Sequence, residues 1–518
     1  VSSHSTKKLY LHSLAASLVN LAVVSIYSLL VIRLSLTFLG KDEYGLLSLL
    51  AQVSTYISIL DLGLYVAFSR ILVDYNTGTR ERYANGLRTA SYIFHALGLI
   101  GLLTASLIAV FGSSWLSIPS NLQKEFMILM FGQGLAIWAA FALKPLSAPI
   151  AADGKNYIIY WTTSILTILN AGLFWLALNY RIGIYSSFVA HTIQLIIFAF
   201  LLWRFSIPYF SSLNLRGRFD KDIFKEVTSF ARDSMLWQVG GQTLASLPII
   251  LATAWFALSA TADLSAGMKL ILLLVSVTTR FGDMSVQPLS IVYANGNQLK
   301  AANQMTKITG ISGGVGVCAA LFVVCVNPAF LSWWLLDKIT WNWQSNVSGA
   351  LWIAILSINQ CMYGFAVITR QMKLLRWALL SECLIYVLIA SATHYFLGPD
   401  SLLIAKPIAT LAIGFFLLVK MSHCTELKIS KLLNGLLRQG MGLIIMIPLC
   451  MIASDWIRNL QLSPFLEFAT TVCVATLMII AILPLIFTKE MRSQIFAILR
   501  QITDKFKPKK DISISSGR

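Results

Sequence analysis

The stretch FLGKDEYGLLSLL, residues 38–50, sets three consecutive charges, Lys41, Asp42 and Glu43, between Gly40 and Gly45. Apolar runs flank it on both sides, 11–37 before it and 44–72 after it. Each run exceeds the roughly 20 residues that carry a helix across the hydrocarbon of a bilayer. A polar, glycine-bounded break between two such runs reads as the turn of a membrane hairpin. The same alternation continues along all 518 residues, of which 57% are hydrophobic and only 12% charged. A soluble chain carries about a quarter charged residues, and mean hydropathy here is +0.74. Hydrocarbon offers the backbone no water, so such a chain satisfies its amides inside helices. The apolar runs are continuous and lack the period-2 alternation of a β-barrel. The expected fold class is an all-α polytopic membrane protein.

Outward from the opening stretch, fourteen spans are expected: 11–37, 44–72, 86–112, 122–150, 156–179, 183–205, 229–258, 264–291, 307–331, 348–369, 376–397, 400–420, 434–454 and 464–487. The first run is too long for the h-region of a cleavable signal. Of the 40 Lys and Arg, 32 fall at the N-terminus, the tail and the alternate loops on one side, leaving 8 on the other. By the positive-inside bias both termini are expected in the cytoplasm. The net charge of +18 comes from short clusters between apolar runs, a distribution unlike that of a nucleic-acid binder. The seven cysteines, mostly within apolar runs, show no metal-ligand spacing.

Sliding the chain by about 220 residues brings FGSSWL (111–116) onto FLSWWL (330–335), Asp153-Gly154-Lys155 onto Gln371-Met372-Lys373, Arg80 onto Lys300 and Glu43 onto Asp263. Six spans return a chain to its starting side, so this repeat predicts two similarly oriented, pseudo-symmetric six-helix lobes. The expected organisation is an N-lobe over 1–205, a cytoplasmic amphipathic connector over 206–228, a C-lobe over 229–420, two extra helices over 421–487 and a basic amphipathic cytoplasmic tail over 488–518. In the connector Phe219, Ile223, Val227 and Phe230 recur at helical spacing, which suits either a helix lying on the membrane surface or a solvated link.

Phosphate-cradling loops, HExxH and Ser/His/Asp patterns are missing from the sequence, so neither an enzyme nor a cofactor-dependent protein is expected. The chemistry lies instead in ionisable residues within the spans, which are costly there and mark pathways. Lys269 and Arg280 are eleven residues apart, close to three full turns, and share a helix face. Asp283 stands beside Arg280. Arg33 and Arg70 lie near span ends, and Lys144 and Lys406 each precede a proline that disrupts its helix. Arg33, Arg70, Lys269, Arg280 and Lys144 are candidates for a cationic cavity that holds phosphate or pyrophosphate oxygens. Taken singly, Arg33, Lys269 and Arg70 also fit residues that snorkel to an interface. Asp61, Asp283 and Glu382 are candidates for ion coupling, with neutralisation of a neighbouring cation the competing role. Asp61 precedes Leu62-Gly63, where local unwinding is expected. His95, His191 and His394 receive no role.

Residues Gly40, Glu43, Tyr44, Gly45 and Leu46, followed by Asp61 to Leu64 (DLGL), resemble the opening of the Wzx-type polysaccharide-biosynthesis flippases. These are lipid-linked oligosaccharide transporters of the multidrug/oligosaccharidyl-lipid/polysaccharide superfamily. The stretch RFDKDIFKEVTSFA (218–231) and the turn Asp153-Gly154-Lys155 look like further family elements. The resemblance implies alternating access by two six-helix lobes. It implies flipping of an undecaprenyl-pyrophosphate-linked oligosaccharide, an O-antigen or similar repeat unit, across the cell inner membrane. Membrane lipids and polysaccharide polymerase or assembly proteins are the implied partners. A lipid II flippase and a multidrug-type cation antiporter remain as alternatives, and a polymerase or ligase is disfavoured by the short outer loops.

Overall fold

The computed structural model describes residues 3–61, 63–65, 68–69, 72, 80–211, 217–369, 371–424, 429–487 and 492. Every regular element among them is helical: α1 (Ser3–Phe38), α2 (Lys41–Ile57), α3 (Arg80–Trp115), α4 (Gln123–Ala152), α5 (Asn156–Asn179), α6 (Ser186–Ser211), α7 (Lys221–Trp255), α8 (Leu258–Gly267), α9 (Lys269–Ala294), α10 (Gln298–Leu335), α11 (Trp343–Ile368), α12 (Met372–Leu397), α13 (Ser401–Cys424), α14 (Ile429–Asn459) and α15 (Pro464–Ile486). Each of the fourteen expected spans overlaps one of these helices or a consecutive pair. Ten helical stretches among the described residues are long and apolar enough to cross a membrane, and eleven when the bent pair α8–α9 counts as one. Large apolar side chains such as Leu107, Ile165, Ile444 and Leu477 are exposed on the long helices. Water would penalise that surface and lipid does not, so the chain is a multi-pass membrane protein.

The chain divides into two compact units. One comprises Val1–Leu273, Phe330–Gly349 and Gln371–Ile413, the other Leu274–Ala329, Ala350–Arg370 and Gly414–Arg518. In the first unit a core runs from Leu46, Leu49 and Leu50 on α2 through Phe94 on α3 to Phe126 and Phe141 on α4. In the second, α10 and α11 join through the hydroxyl of Ser312, which donates to Ser357 O at 2.9 Å, and the Gln439 amide of α14 donates to Gly310 O at 2.7 Å.

The repeated tryptophan motifs have matching local structure. FGSSWL closes the 36-residue α3 and FLSWWL closes the 38-residue α10. Residues with left-handed backbone follow both, Ser117 in one case and Leu336 and Asp337 in the other. Sequence expectation and structure differ at three places. The connector is not a separate surface helix: α7 runs unbroken from Lys221 to Trp255. Its Ile223 and Val227 are 2% and 1% exposed, within the core that holds Tyr83 and Leu87 of α3, so these two residues pack on protein, whereas Phe219 is 46% exposed. Span 8 bends by 43° between α8 and α9, so Lys269 begins a helix instead of lying within one. The prolines beside Lys144 and Lys406 lie inside continuous helices, α4 and α13. Each removes one backbone donor without ending its helix, because neighbouring turns hold the geometry. Arg70 and, apart from 492, the expected tail 488–518 lie outside the described residues, as does the side chain of Asp283.

Candidate functional site

Ala51, Ser54 and Thr55 of α2, with Ser58 just past its end, fall at i, i+3, i+4 and i+7 on one face. The hydroxyl of Thr55 donates to Ala51 O at 2.7 Å and that of Ser58 to Ser54 O at 2.9 Å. Such back-bonding competes with the helix ladder and bends it. The α-helix duly ends at Ile57, and Ser58–Asp61 tighten into a 3-10 turn. Gly63 follows at φ 72°, a left-handed conformation that costs glycine nothing. The expected unwinding is present, and Asp61 closes it: its Oδ1 accepts the Tyr65 amide at 3.1 Å.

The α2 stripe forms one wall of a cavity of about 400 Å³. Gln133, Ala136, Ala140 and Lys144 of α4, Ser187 and His191 of α6, and Tyr27 of α1 complete the polar part of its lining and the small residues between. Behind it, the Tyr27 hydroxyl donates to Asn170 Oδ1 and the Asn170 amide to Gln194 Oε1, both at 2.7 Å. That chain fixes α1, α5 and α6 against one another, and Asn170 is only 3% exposed. The Ser54 hydroxyl makes no hydrogen bond to a described residue.

One fixed cation borders the cavity. Lys144 Nζ lies 2.8 Å from Asp61 Oδ2, with about a quarter of each side chain exposed. It also sits 4.3 Å from the Phe141 ring centroid and 5.7 Å from that of Phe94, distances at which a ring face attracts an ammonium. A candidate anion-binding lysine and a candidate coupling carboxylate are therefore partners. Hydroxyls, an amide, an imidazole and a single ammonium suit the binding of a polar anionic ligand.

The other candidates lie elsewhere. Arg33 is exposed on α1 and Lys269 half-buried at the start of α9; neither lines the cavity. Arg280 is exposed on the part of α9 that belongs to the second unit. Glu382 on α12 is fully buried, within electrostatic reach of Lys406 on α13, itself 1% exposed. His191, Tyr27 and Gln133 are lining residues that sequence reasoning missed. Their signal was small and polar residues at helical spacing inside apolar spans: 51, 54, 55 and 58; 133, 136, 140 and 144; 187 and 191.

The segment quoted at the start builds a second polar cluster. Lys41 Nζ reaches Asp263 Oδ1 on α8 at 2.8 Å and Oδ2 at 3.2 Å. The Thr340 amide donates to Asp263 Oδ1 at 3.1 Å and its hydroxyl to Oδ2. Beside it, the hydroxyls of Tyr44 and Ser265 lie 3.1 Å apart. Gly45 meets Leu258 so closely that a Cβ there would stand 2.0 Å from the carbonyl oxygen. By the repeat Asp263 is the counterpart of Glu43, and its ion-pair partner is Lys41.

Many long apolar helices, with a polar cavity among those of the first unit, define the class: a polytopic membrane protein. Within that class the structure is similar to a lipid II flippase, MurJ, in an inward closed conformation. The TM-score is 0.68 at 14% identity, covering 94% of this chain and 100% of that one. It is also similar to an inward-facing multidrug resistance MATE family transporter of the MOP superfamily, with a TM-score of 0.63, 13% identity and coverage of 80% and 99%. The MATE multidrug transporter DinF-BH gives 0.58, 14%, and 80% and 95%. At these identities the likeness is one of fold. No protein-family model and no curated protein matches the sequence.

Proposed function

We propose that the chain is a flippase that moves a polyprenyl-pyrophosphate-linked oligosaccharide, an O-antigen or similar surface-polysaccharide unit, across the cell inner membrane. The observation that carries the reading is the extent of the fold likeness. The flippase fold covers 94% of this chain and the multidrug transporters about 80%, so the former leaves room for α14 and α15 beyond twelve helical passages. The basic cavity residue Lys144 supports an anionic cargo in place of an organic cation. Arg33, Arg70, Lys269 and Arg280 serve as further phosphate contacts along the route, and Asp61, Asp283 and Glu382 couple movement to an ion gradient. Both termini face the cytoplasm, and polysaccharide polymerase or assembly proteins receive the product.

In this reading the Lys41–Asp263–Thr340 cluster closes the outer end of the pathway. It sits on the side that carries 8 of the 40 basic residues, and alternating access requires it to part once per cycle. Deleting the gene tests the function. Surface polysaccharide should disappear while undecaprenyl-linked repeat units accumulate on the cytoplasmic leaflet. Unchanged surface glycan with increased drug sensitivity would refute it. The similarity to MurJ favours one second reading, lipid II as cargo. Under that reading the gene restores growth to cells depleted of their own lipid II flippase, and under ours it does not.

A further inference from the structure

We infer that Asp61 is an exchangeable counter-ion that holds Lys144 until a diphosphate displaces it, so that ligand and carboxylate compete for one ammonium. The inference rests on the proposed flippase reading and assigns its anion contact to this cavity. Three features of the geometry carry it.

Lys144 lines the cavity, and Asp61, its partner at 2.8 Å, is not among the lining residues. An anion in the cavity therefore has the ammonium among its contacts. An ammonium has three N–H donors. Asp61 takes one at 2.8 Å, and the nearby Phe141 and Phe94 faces attract the charge without consuming an acceptor geometry. Lys144 can therefore engage a phosphate oxygen by a small swing of its flexible stem.

Asp61 is equipped to lose its partner. Its other oxygen accepts the Tyr65 amide at 3.1 Å, so the carboxylate stays hydrogen-bonded and fixed at the helix break when the lysine leaves. Around the ammonium the cavity lining offers donors of the right kind: the Gln133 amide, the Ser187 hydroxyl and the His191 ring. Among the described residues no carboxylate is in the lining to repel an anion. A cavity of about 400 Å³ falls within the ≈ 300–1,000 Å³ of small-molecule sites and has room for a diphosphate. The site would then read the linkage common to all such cargoes.

A resident competitor weakens binding and eases release, which predicts a gain of affinity when it is removed. The test is calorimetric titration of the purified full-length protein in detergent with farnesyl diphosphate, inorganic pyrophosphate and farnesol. Asp61→Asn should bind farnesyl diphosphate about two- to fivefold more tightly than the natural protein, the range expected from removing one partly exposed ion pair. Lys144→Gln should abolish that binding, and the double variant should behave like Lys144→Gln. Farnesol should not bind. Should Asp61→Asn unfold, acetic anhydride labelling of the unaltered protein gives the same information: farnesyl diphosphate should protect Lys144 from acetylation.

Equal or weaker binding by Asp61→Asn, or labelling of Lys144 unaffected by farnesyl diphosphate, overturns the proposal while leaving the flippase reading intact. Binding of inorganic pyrophosphate alone overturns the lipid-linked form of the ligand. Binding of an organic cation such as tetraphenylphosphonium, with no binding of either diphosphate, sinks the flippase reading itself.

Discussion

Two lysine–aspartate pairs share the same 2.8 Å separation and stand in opposite surroundings. At Lys41–Asp263 every carboxylate oxygen is saturated, by the ammonium on both and by the amide and hydroxyl of Thr340. Close by, Gly45 and Leu258 bring the α2 and α8 backbones into contact. At Lys144–Asp61 one side is open, and the lysine faces a cavity. An ion-pair distance is thus silent about role. Saturation of the carboxylate at one pair, and a cavity beside the lysine at the other, separate a latch from a binding site.

The comparison can be broken first at its sealed end. Gly45→Ala places a methyl 2.0 Å from Leu258 O, and the helices must separate to admit it. Overpacking of this kind costs about 1–3 kcal/mol or more. The variant should unfold several degrees lower in a detergent thermal ramp, or fail to accumulate. An unchanged transition would show that α2 and α8 are not held in contact. At the open end, Lys144→Gln should keep its melting temperature to within about one degree, because a partly exposed pair contributes ~1 kcal/mol or less. Surface glycan should nevertheless fall by at least about tenfold, read by lectin staining of complemented cells. A variant that melts early and exports normally would invert the assignment of the two pairs.

Smaller effects sharpen the latch. A double-mutant cycle on Lys41→Ala and Asp263→Asn should give a coupling of about 1 kcal/mol or less in thermal stability, because the lysine is one-third exposed. The smallest effect concerns Glu43, at the start of α2. Burial, and then the nearby Glu125 carboxylate, raise its pKa above the usual carboxylate range. The folded state therefore holds that proton more tightly than the unfolded chain. The stabilising contribution is complete below the unfolded pKa and is lost as pH rises through the folded one. Glu43→Gln should raise the neutral-pH melting temperature by about one degree, and the gain should vanish near pH 4. A gain that persists in acid would assign the effect to packing.

Much of the fold was legible in the sequence, because membrane solvent imposes one rule on every span. Apolar run length placed the helices, and the Leu62-Gly63 break announced the turn at Asp61. Amphipathic spacing in the connector cannot tell lipid from protein, and Ile223 and Val227 lie in the core that holds Tyr83 and Leu87 of α3. The site was legible in part. Lys144 and Asp61 each stood out as charges in apolar runs, but their partnership joins α4 to the break after α2 across 83 positions, a contact no local pattern contains. The wall of hydroxyls was visible as a stripe at 51, 54, 55 and 58. Charge drew attention away from it.

The central claim is that this chain carries a lipid-linked diphosphate across a bilayer with Lys144 as an anion contact. Proteoliposomes containing a polyprenyl-diphosphate-linked oligosaccharide, fluorescently labelled on its glycan, give the direct measurement through the fraction open to an external glycosidase. The natural protein should render the inner-leaflet pool digestible, and Lys144→Gln should slow that conversion at least about tenfold. An inner-leaflet pool that stays protected in vesicles where the same protein moves an organic cation would contradict the account.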